Sequence, residues 1–250
     1  MKLQARLSLT TASTAILALL VVLVVSSFVS KKALEAATQE KMLTAQAARL
    51  TALQRYLDST EAQLSIMASA PSTRESLVEF AEAFRQLGDN AQFVLQQRYV
   101  TGNELPRQER DRFAINDKPD AYDRLHQKHH ERYRNRHRFQ NMDDIALIDP
   151  EGNVVYSMLK EKDFATNLVT GPWKDSGLAH AITPLLNKPV PGVAGFADFT
   201  RYPASDGLPM AFLAMPVFDT DNQHFIGIIA TKISSSALNE LMSDRSGLGE

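Results

Sequence analysis

The longest apolar stretch of the chain runs from Leu7 to Ser30, LSLTTASTAILALLVVLVVSSFVS, and contains no charged residue. Lys2 and Arg6 precede this stretch, and Lys31 and Lys32 follow it. A helix of this length measures about 36 Å at roughly 1.5 Å per residue, which is enough to cross a hydrocarbon core of about 30 Å. The pattern therefore predicts a transmembrane helix over residues 7–30, preceded by a cytoplasmic tail of residues 1–6.

The alternative is a cleaved secretory signal peptide, which also begins with basic residues but has a shorter apolar centre and a small-residue cleavage site. The uncleaved anchor is favoured because Lys31 and Lys32 begin a helical pattern that continues the same rod. Basic residues flank both ends equally, so the orientation depends on the short basic tail, which is easily left in the cytoplasm. We expect a single-pass protein of the bacterial inner membrane, with residues 31–250 in the periplasm.

Beyond the anchor, leucines recur at seven-residue spacing in a stretch that lacks glycine and proline as far as Pro71. The repeat consists of Leu43, Leu50, Leu57 and Leu64. The absence of helix breakers predicts a long stalk helix over residues 31–71. A seven-residue repeat is typical of packing along a partner helix, within the subunit or across a homodimer. The alternative is an ordinary amphipathic helix that lies on its own domain.

Residues 72–142 have a second helical pattern, predicted to be the helical part of a sensor. Ser72–Glu75 has the spacing of a capping box, and residues 101–119 form a polar loop. The segment Asp120–Gln140 is rich in histidine and arginine. On a helix, one side of this segment would carry Tyr122, Leu125, His129 and Tyr133.

After Asp143 the pattern becomes strand-like. A β-hairpin is predicted from Ile145–Asp149 and Val154–Leu159. A short helix over Trp173–Asn187 follows, and then come three strands and a closing helix, at Gly195–Phe199, Pro209–Phe218, Phe225–Ile233 and Ser234–Ser243. This order predicts an α+β fold in which residues 143–245 form an antiparallel sheet with flanking helices. Residues 246–250 are interpreted as the start of a missing continuation.

Composition excludes several classes of function. The chain has no cysteine, which excludes a disulfide scaffold, a thiolate zinc site and a cysteine nucleophile. Its net charge of −2 provides no general attraction to nucleic acid. A phosphate loop, a nucleophile elbow and a His-Glu-x-x-His zinc helix are all missing, since His130-Glu131 is followed by Arg134 where the second histidine is required. We therefore expect neither an enzyme nor a cofactor.

Several linked motifs give the region from about residue 90 to residue 245 a resemblance to a known family. The motifs are found at Asp144–Asp149, Val155–Ser157, Lys160–Phe164, Gly171–Leu178 and Asp198–Ser205. In this order they resemble the periplasmic Cache-type sensor of bacterial methyl-accepting chemotaxis proteins. The resemblance implies a PAS-like sheet and the ligand-sensing part of a transmembrane chemoreceptor. It also implies that a small-molecule signal passes to the output through movement of the long helix.

Two alternatives to the chemoreceptor remain open. The same type of sensor is also found on histidine kinases and nucleotide cyclases. A membrane-tethered module that binds a protein partner, and no small molecule, is the hypothesis from a different class.

The ligand pocket is expected on the sheet face, beneath the crossing segment and loops. Candidate residues for a small polar or anionic ligand are Tyr156, Lys160, Trp173, Asp198, Arg201, Tyr202 and Ser205. Arg201 would grip a carboxylate, and Asp198 would accept from an ammonium group. Tyr156 and Trp173 have a structural alternative as core aromatic residues, and Asp198 has one as a residue that fixes the loop from Tyr202 to Ser205. The Tyr-x-Arg-x-Trp pattern of amino-acid-sensing members is not found, which argues against an amino-acid ligand.

Histidines at four-residue spacing raise the question of a metal site. His126 and His130, with His129 beside them, would place two imidazoles on one helix face. Two helical histidines make only half of a site, and no carboxylate is obviously placed to complete it. The sequence therefore favours a solvated basic helix and predicts no metal.

Overall fold

The computed structural model describes residues 2–113, 119–140, 142–221, 224–236 and 238–239. The helices are α1 (Lys2–Ser69), α2 (Pro71–Gln86), α3 (Ala91–Gln96), α4 (Ala121–Gln140) and α5 (Gly177–Asn187). The strands are β1 (Asp144–Ile148), β2 (Val154–Ser157), β3 (Gly195–Tyr202), β4 (Leu208–Phe218) and β5 (Phe225–Ser234). Short 3₁₀ turns cover Gly88–Asn90, Arg107–Arg112 and Pro203–Ser205, and a π turn covers Gln97–Thr101. Half of the predicted closing helix, and residues 246–250, lie outside the described residues.

The chain divides into two compact units, with residues up to Leu53 in the first and Gln54–Asp244 in the second. In the first unit, the large apolar side chains from Ile16 to Val29 are exposed, as a membrane-facing surface would be. Among the residues that the structure describes, this is the one helix long and apolar enough to cross a membrane.

The predicted stalk boundary at residue 71 differs slightly from the observed one. Helix α1 ends at Ser69, and Pro71 is the first residue of α2. Proline suits a first helical position because its missing N–H would have no intrahelical partner there.

The five strands form one antiparallel sheet in the order β2-β1-β5-β4-β3. All five predicted strands are present, and the predicted α+β class with a PAS-like sheet is confirmed. Strands β1, β5 and β4 are central and almost wholly buried, because helices or loops cover both of their faces.

The two faces of the sheet are covered by different helices. Phe212 of β4 faces α5, where its ring would clash with any Cβ added at Gly177. Gly227, paired with Val217 on the opposite face, instead approaches Leu77 of α2. Because side chains alternate along a strand, α5 and α2 lie on opposite sides of the sheet. We call these sides the α5 face and the α2 face.

The leucine repeat of the stalk is divided by its surroundings. Leu64 is completely buried in the second unit, and Leu57 is half-buried. Leu43 and Leu50, in the first unit, are 66% and 57% exposed. The last leucine of the repeat therefore belongs to the core of the second unit.

Candidate functional site

A lysine occurs near the end of the largely apolar strand β5. Lys232 of β5 is only 3% exposed, and its Nζ donates a hydrogen bond to Glu161 Oε2 at 2.7 Å. The same Nζ lies 3.1 Å from Asp163 Oδ2 and 3.2 Å from Asp144 Oδ2. We call Lys232 and these three carboxylates the Lys232 cage; it lies on the α5 face of the sheet.

Asp144 positions the cage because it ties two segments of backbone together. One carboxylate oxygen, Oδ1, accepts hydrogen bonds from the backbone N–H groups of Ile145, Met158 and Leu159, at 2.8, 3.0 and 3.0 Å. The other oxygen accepts from Ser157 Oγ at 3.0 Å. These bonds fix the start of the loop after β2, which carries Glu161 and Asp163.

Glu161 is paired with two cationic side chains. In addition to Lys232, it accepts hydrogen bonds from Arg107 Nε and Ser205 Oγ. Burial alone would raise the pKa of the Glu161 carboxyl, but Lys232 and Arg107 lower it to about 2. Glu161 is therefore ionised at neutral pH.

Asp163 differs from Glu161 in its electrostatics. Burial raises the pKa of the Asp163 carboxyl, although Lys232 acts in the opposite direction. Its Oδ2 accepts a hydrogen bond from the Tyr202 hydroxyl at 2.7 Å. Its Oδ1 is buried and has no hydrogen-bond partner among the described residues.

A second buried atom at the edge of the cage is also unsatisfied. Arg107 donates through Nε to Glu161, whereas its Nη2 has no partner in the part of the chain described. The cage therefore offers one open donor, on Arg107, and one open acceptor, on Asp163. Buried polar groups are normally paired, so these two atoms are exceptions among the described residues.

Three of the residues predicted from sequence lie around the cage. Tyr202 and Ser205 are fully buried and bond to Asp163 and Glu161, respectively. Trp173 is half-buried, and its ring centroid is 6.4 Å from that of Tyr202. Its indole Nε1 donates to the Lys162 carbonyl at 3.1 Å. The structure thus brings these three side chains together.

Tyr156 and Lys160, two further candidates, form a separate buried group. The Tyr156 hydroxyl is 2.8 Å from His130 Nδ1, and its ring packs on Phe80 of α2, so Tyr156 lies on the α2 face. The Lys160 Nζ donates to the Met158 carbonyl at 3.1 Å and lies 5.9 Å from the Tyr156 ring centroid. Burial lowers the pKa of the Lys160 amine to about 7.

The last two candidates, Asp198 and Arg201, lie on the edge strand β3 and are exposed. Asp198 Oδ1 accepts a hydrogen bond from the backbone N–H of Phe199 at 2.7 Å. The β3–β4 pairing shifts register between Ala197 and Thr200, which displaces this stretch from regular alternation. The structure does not bring Asp198 or Arg201 into the Lys232 cage.

Helix α4 differs from the solvated basic helix that the sequence favours. Its tyrosines Tyr122 and Tyr133 pack inward as expected, but His126, His129 and His130 are also at most 8% exposed. The rings of His126 and His130 stack with their centroids 4.3 Å apart. Burial lowers the pKa values of both imidazoles, so they are neutral at pH 7.

Sequence reasoning missed the four cage residues and Arg107. One signal was available, since Lys232 interrupts the apolar run FIGIIATKIS at a position that points to one face. Asp144, Glu161 and Asp163 lie within the recognised motifs, but nothing in their spacing shows that they converge on this lysine.

No protein-family model matches the chain, and no curated protein matches it in sequence. Among solved structures, the sensor domain of the histidine kinase DctB of V. cholerae has a TM-score of 0.48 and 14% identity, covering 84% of this chain and 61% of that one. The E. coli DcuS sensor domain has a TM-score of 0.41 and 12% identity, covering 78% of this chain and 98% of that one.

A third similar structure is the sensory domain of the Campylobacter jejuni chemoreceptor Tlp3, with a TM-score of 0.32, 13% identity, and coverage of 75% of this chain and 66% of that one. The solved structures that the chain resembles are thus bacterial sensor domains, from a histidine kinase and a chemoreceptor among others. The chain spans 61% of the length of the DctB sensor domain.

Proposed function

We propose that this chain is the extracytoplasmic, ligand-sensing part of a bacterial transmembrane chemoreceptor. In this proposal the apolar helix anchors the chain in the inner membrane, and residues 31–250 are periplasmic. The linked motifs between Asp144 and Ser205 support the chemoreceptor type. A histidine kinase or nucleotide cyclase would use the same sensor and would differ in the output domain. The domain acts by binding and carries no catalytic role.

The observation that carries this proposal is the Lys232 cage. Burying one ammonium and three carboxylates costs several kcal/mol per ion in solvation, and well-packed apolar residues of similar volume often give an equally stable protein. Stability alone therefore does not explain the cage. Buried charged groups with shifted pKa values, such as Glu161 and Asp163, are concentrated at functional sites.

The open atoms of the cage indicate the chemistry of the ligand. Arg107 Nη2 would donate to a carboxylate or another anionic oxygen, and Asp163 Oδ1 would accept from a hydroxyl or an amine. Trp173 and Tyr202 would form the apolar wall. The proposed ligand is thus a small carboxylate that also carries a hydrogen-bond donor.

Signal transfer is proposed to occur by a population shift, in which the ligand binds one arrangement of the sensor more tightly than another. The exposed Leu43 and Leu50 support a homodimer through the stalk, because the repeat predicts a partner helix. The shift would move the stalk along or against its partner.

A thermal-shift screen of the full chain in detergent tests the proposed function. The ligands would be small hydroxy acids, simple carboxylates, amines and amino acids. A ligand that binds only the folded state adds about 2.7 kcal/mol of stability at a hundredfold excess over its Kd. We expect a carboxylate to raise the midpoint in the native chain and not in Asp163→Asn. A well-folded chain that responds to none of these ligands would favour the protein-binding module instead.

A further inference from the structure

A second cluster of polar side chains lies between α2 and α4, on the side of the sheet opposite the Lys232 cage. Glu75 and Glu79 are four residues apart on α2, so they share one face of that helix. His129 of α4 faces them, and its Nε2 is 2.5 Å from Glu79 Oε2. One oxygen of each glutamate and one nitrogen of His129 all lie within 4.8 Å of one another.

We propose that Glu75, Glu79 and His129 bind a divalent metal ion, with Zn²⁺ as the best match to their chemistry. Two carboxylate oxygens and one imidazole nitrogen are ligands that Zn²⁺ accepts in tetrahedral sites, leaving a fourth position for water. The two helices supply the ligands from both sides. The site is independent of the proposed sensing function and of the cage.

The position of Lys128 supports a cation at this place. Its ammonium lies 2.8 Å from Glu75 Oε1 and 2.8 Å from Glu79 Oε1, so a positive charge already sits between the two carboxylates. The Lys128 side chain is 46% exposed, and its flexible stem allows it to swing into solvent. A metal ion would replace this ammonium, so Lys128 competes with the metal for the same two ligands.

His129 provides an independent observation. The residue is completely buried, and its Nδ1 has no hydrogen-bond partner in the described part of the chain. The hydrogen bond from Nε2 to Glu79 therefore holds the buried imidazole in place. Because the ring is held in this orientation, its Nε2 lone pair, with the ring proton on Nδ1, would be directed at an ion between the two glutamates.

The site is accessible from solvent. An open groove between α2 and α4 reaches Glu79 and Lys128, and its walls include Val78, Ala83 and Leu125. An ion that enters along this groove would join α2 to α4. Because Pro71 starts α2 soon after α1 ends at Ser69, metal binding would stiffen the part of the domain that follows the stalk.

Zinc binding is tested by isothermal titration of the full chain in detergent with ZnCl₂ after EDTA treatment. We expect one ion per chain, with affinity weakened more than about tenfold in Glu79→Gln and His129→Gln. The matched controls are Glu82→Gln, on the same helix and groove but outside the cluster, and His180→Gln, at an exposed position of α5. Both controls should bind as the native chain does.

Zinc binding by Lys128→Gln shows whether weaker binding in the other variants reflects lost metal ligands or lost folding. If Lys128 competes with the ion, this variant should bind Zn²⁺ several-fold more tightly than the native chain. Unchanged zinc affinity in His129→Gln, or weaker binding in Lys128→Gln, would overturn the proposal. In that case Lys128 is the permanent partner of the two glutamates and no metal binds here.

Discussion

Lys232 and Asp144 are paired directly across the antiparallel strands β5 and β1, with Lys232 Nζ 3.2 Å from Asp144 Oδ2. Asp144 also accepts hydrogen bonds from the backbone N–H groups of Met158 and Leu159, which begin the loop that carries Glu161 and Asp163. One strand pairing thus brings the lysine together with all three carboxylates.

Removing the cage lysine should destabilise the domain strongly. Lys232→Met leaves three carboxylates buried without their common partner, and breaking a buried ion pair from one side costs about 3–5 kcal/mol. Chemical denaturation followed by tryptophan fluorescence would measure this loss. Lys162→Met is the matched control, because Lys162 forms an exposed pair with Asp206 and such pairs contribute about 0–1 kcal/mol. Equal losses in the two variants would contradict the account.

The stability of the domain should rise with pH in the alkaline range because of Lys160. The pKa of the Lys160 amine is about 7 in the folded chain, and its ordinary value of 10.5 applies to the unfolded chain. Between pH 7 and pH 10.5 the unfolded chain therefore binds a proton that the folded chain does not. The free energy of unfolding therefore increases with pH, by at most about 1.4 kcal/mol per unit. Below pH 7 both states are protonated and the full cost of burying the ammonium is present.

Lys160→Met tests this dependence. The difference in unfolding free energy between this variant and Lys162→Met should be large at pH 7 and should shrink towards about pH 9.5, below the ordinary tyrosine pKa of about 10. The charged or titratable groups around Lys160 are Asp111, Asp144, His126, His130, Tyr99 and Tyr156. All of these groups are retained in both variants. A difference that stays constant from pH 7 to 9.5 would show that Lys160 does not lose its proton in this range.

A single methyl group at Gly227 should disrupt the packing of α2 on the sheet. The residue has φ of +138°, and an added Cβ would lie 2.4 Å from the Ile148 carbonyl oxygen and 2.9 Å from Leu77 Cδ2. Gly227→Ala therefore adds a steric clash to the backbone strain, and we expect a loss of more than about 2 kcal/mol. Gly192→Ala also has positive φ but has nothing within 4 Å, so it measures the strain alone. Comparable thermal midpoints for the two variants would count against the described packing.

The stalk repeat predicts a contact between two copies of the chain at Leu50. The native sequence has no cysteine, so Leu50→Cys introduces the sole thiol. If Leu50 faces the same residue of a second copy, mild oxidation of membranes should yield a cross-linked dimer. Ile66→Cys is the control, since Ile66 is equally exposed, at 68%, but lies outside the seven-residue repeat. Cross-linking of both variants to the same extent would mean random collision instead of a specific pair.

Local patterns were enough to predict the elements of the fold. The short apolar runs after Asp143, each bounded by turn residues, located every strand of the sheet. Helix α5 begins four residues later than predicted, at Gly177 instead of Trp173, because Ser176 accepts a hydrogen bond from the Ala179 N–H as its N-cap. Trp173 is thereby left in the loop above the cage.

The cage and the environment of α4 could not be predicted in the same way. Arg107 and Lys232 are far apart in sequence and converge on Glu161 only after the sheet has formed. The sequence places His129 on the same side of its helix as Tyr122 and Tyr133, but it does not indicate the partner Glu79, which belongs to a different helix. Both cases depend on contacts across elements, which periodicity along one segment does not contain.

The most direct test of the central claim, that the Lys232 cage is the sensing site, is ligand affinity in two matched pairs of variants. One pair, Arg107→Gln and Asp163→Asn, changes the open atoms of the cage, and the other pair, Arg201→Gln and Asp198→Asn, makes the same substitutions on the exposed edge strand. Titration calorimetry with the carboxylate identified by the thermal screen should give Kd values raised more than about tenfold in the first pair and unchanged in the second. Weakened binding in the second pair alone would place the ligand at the strand edge and would contradict the account.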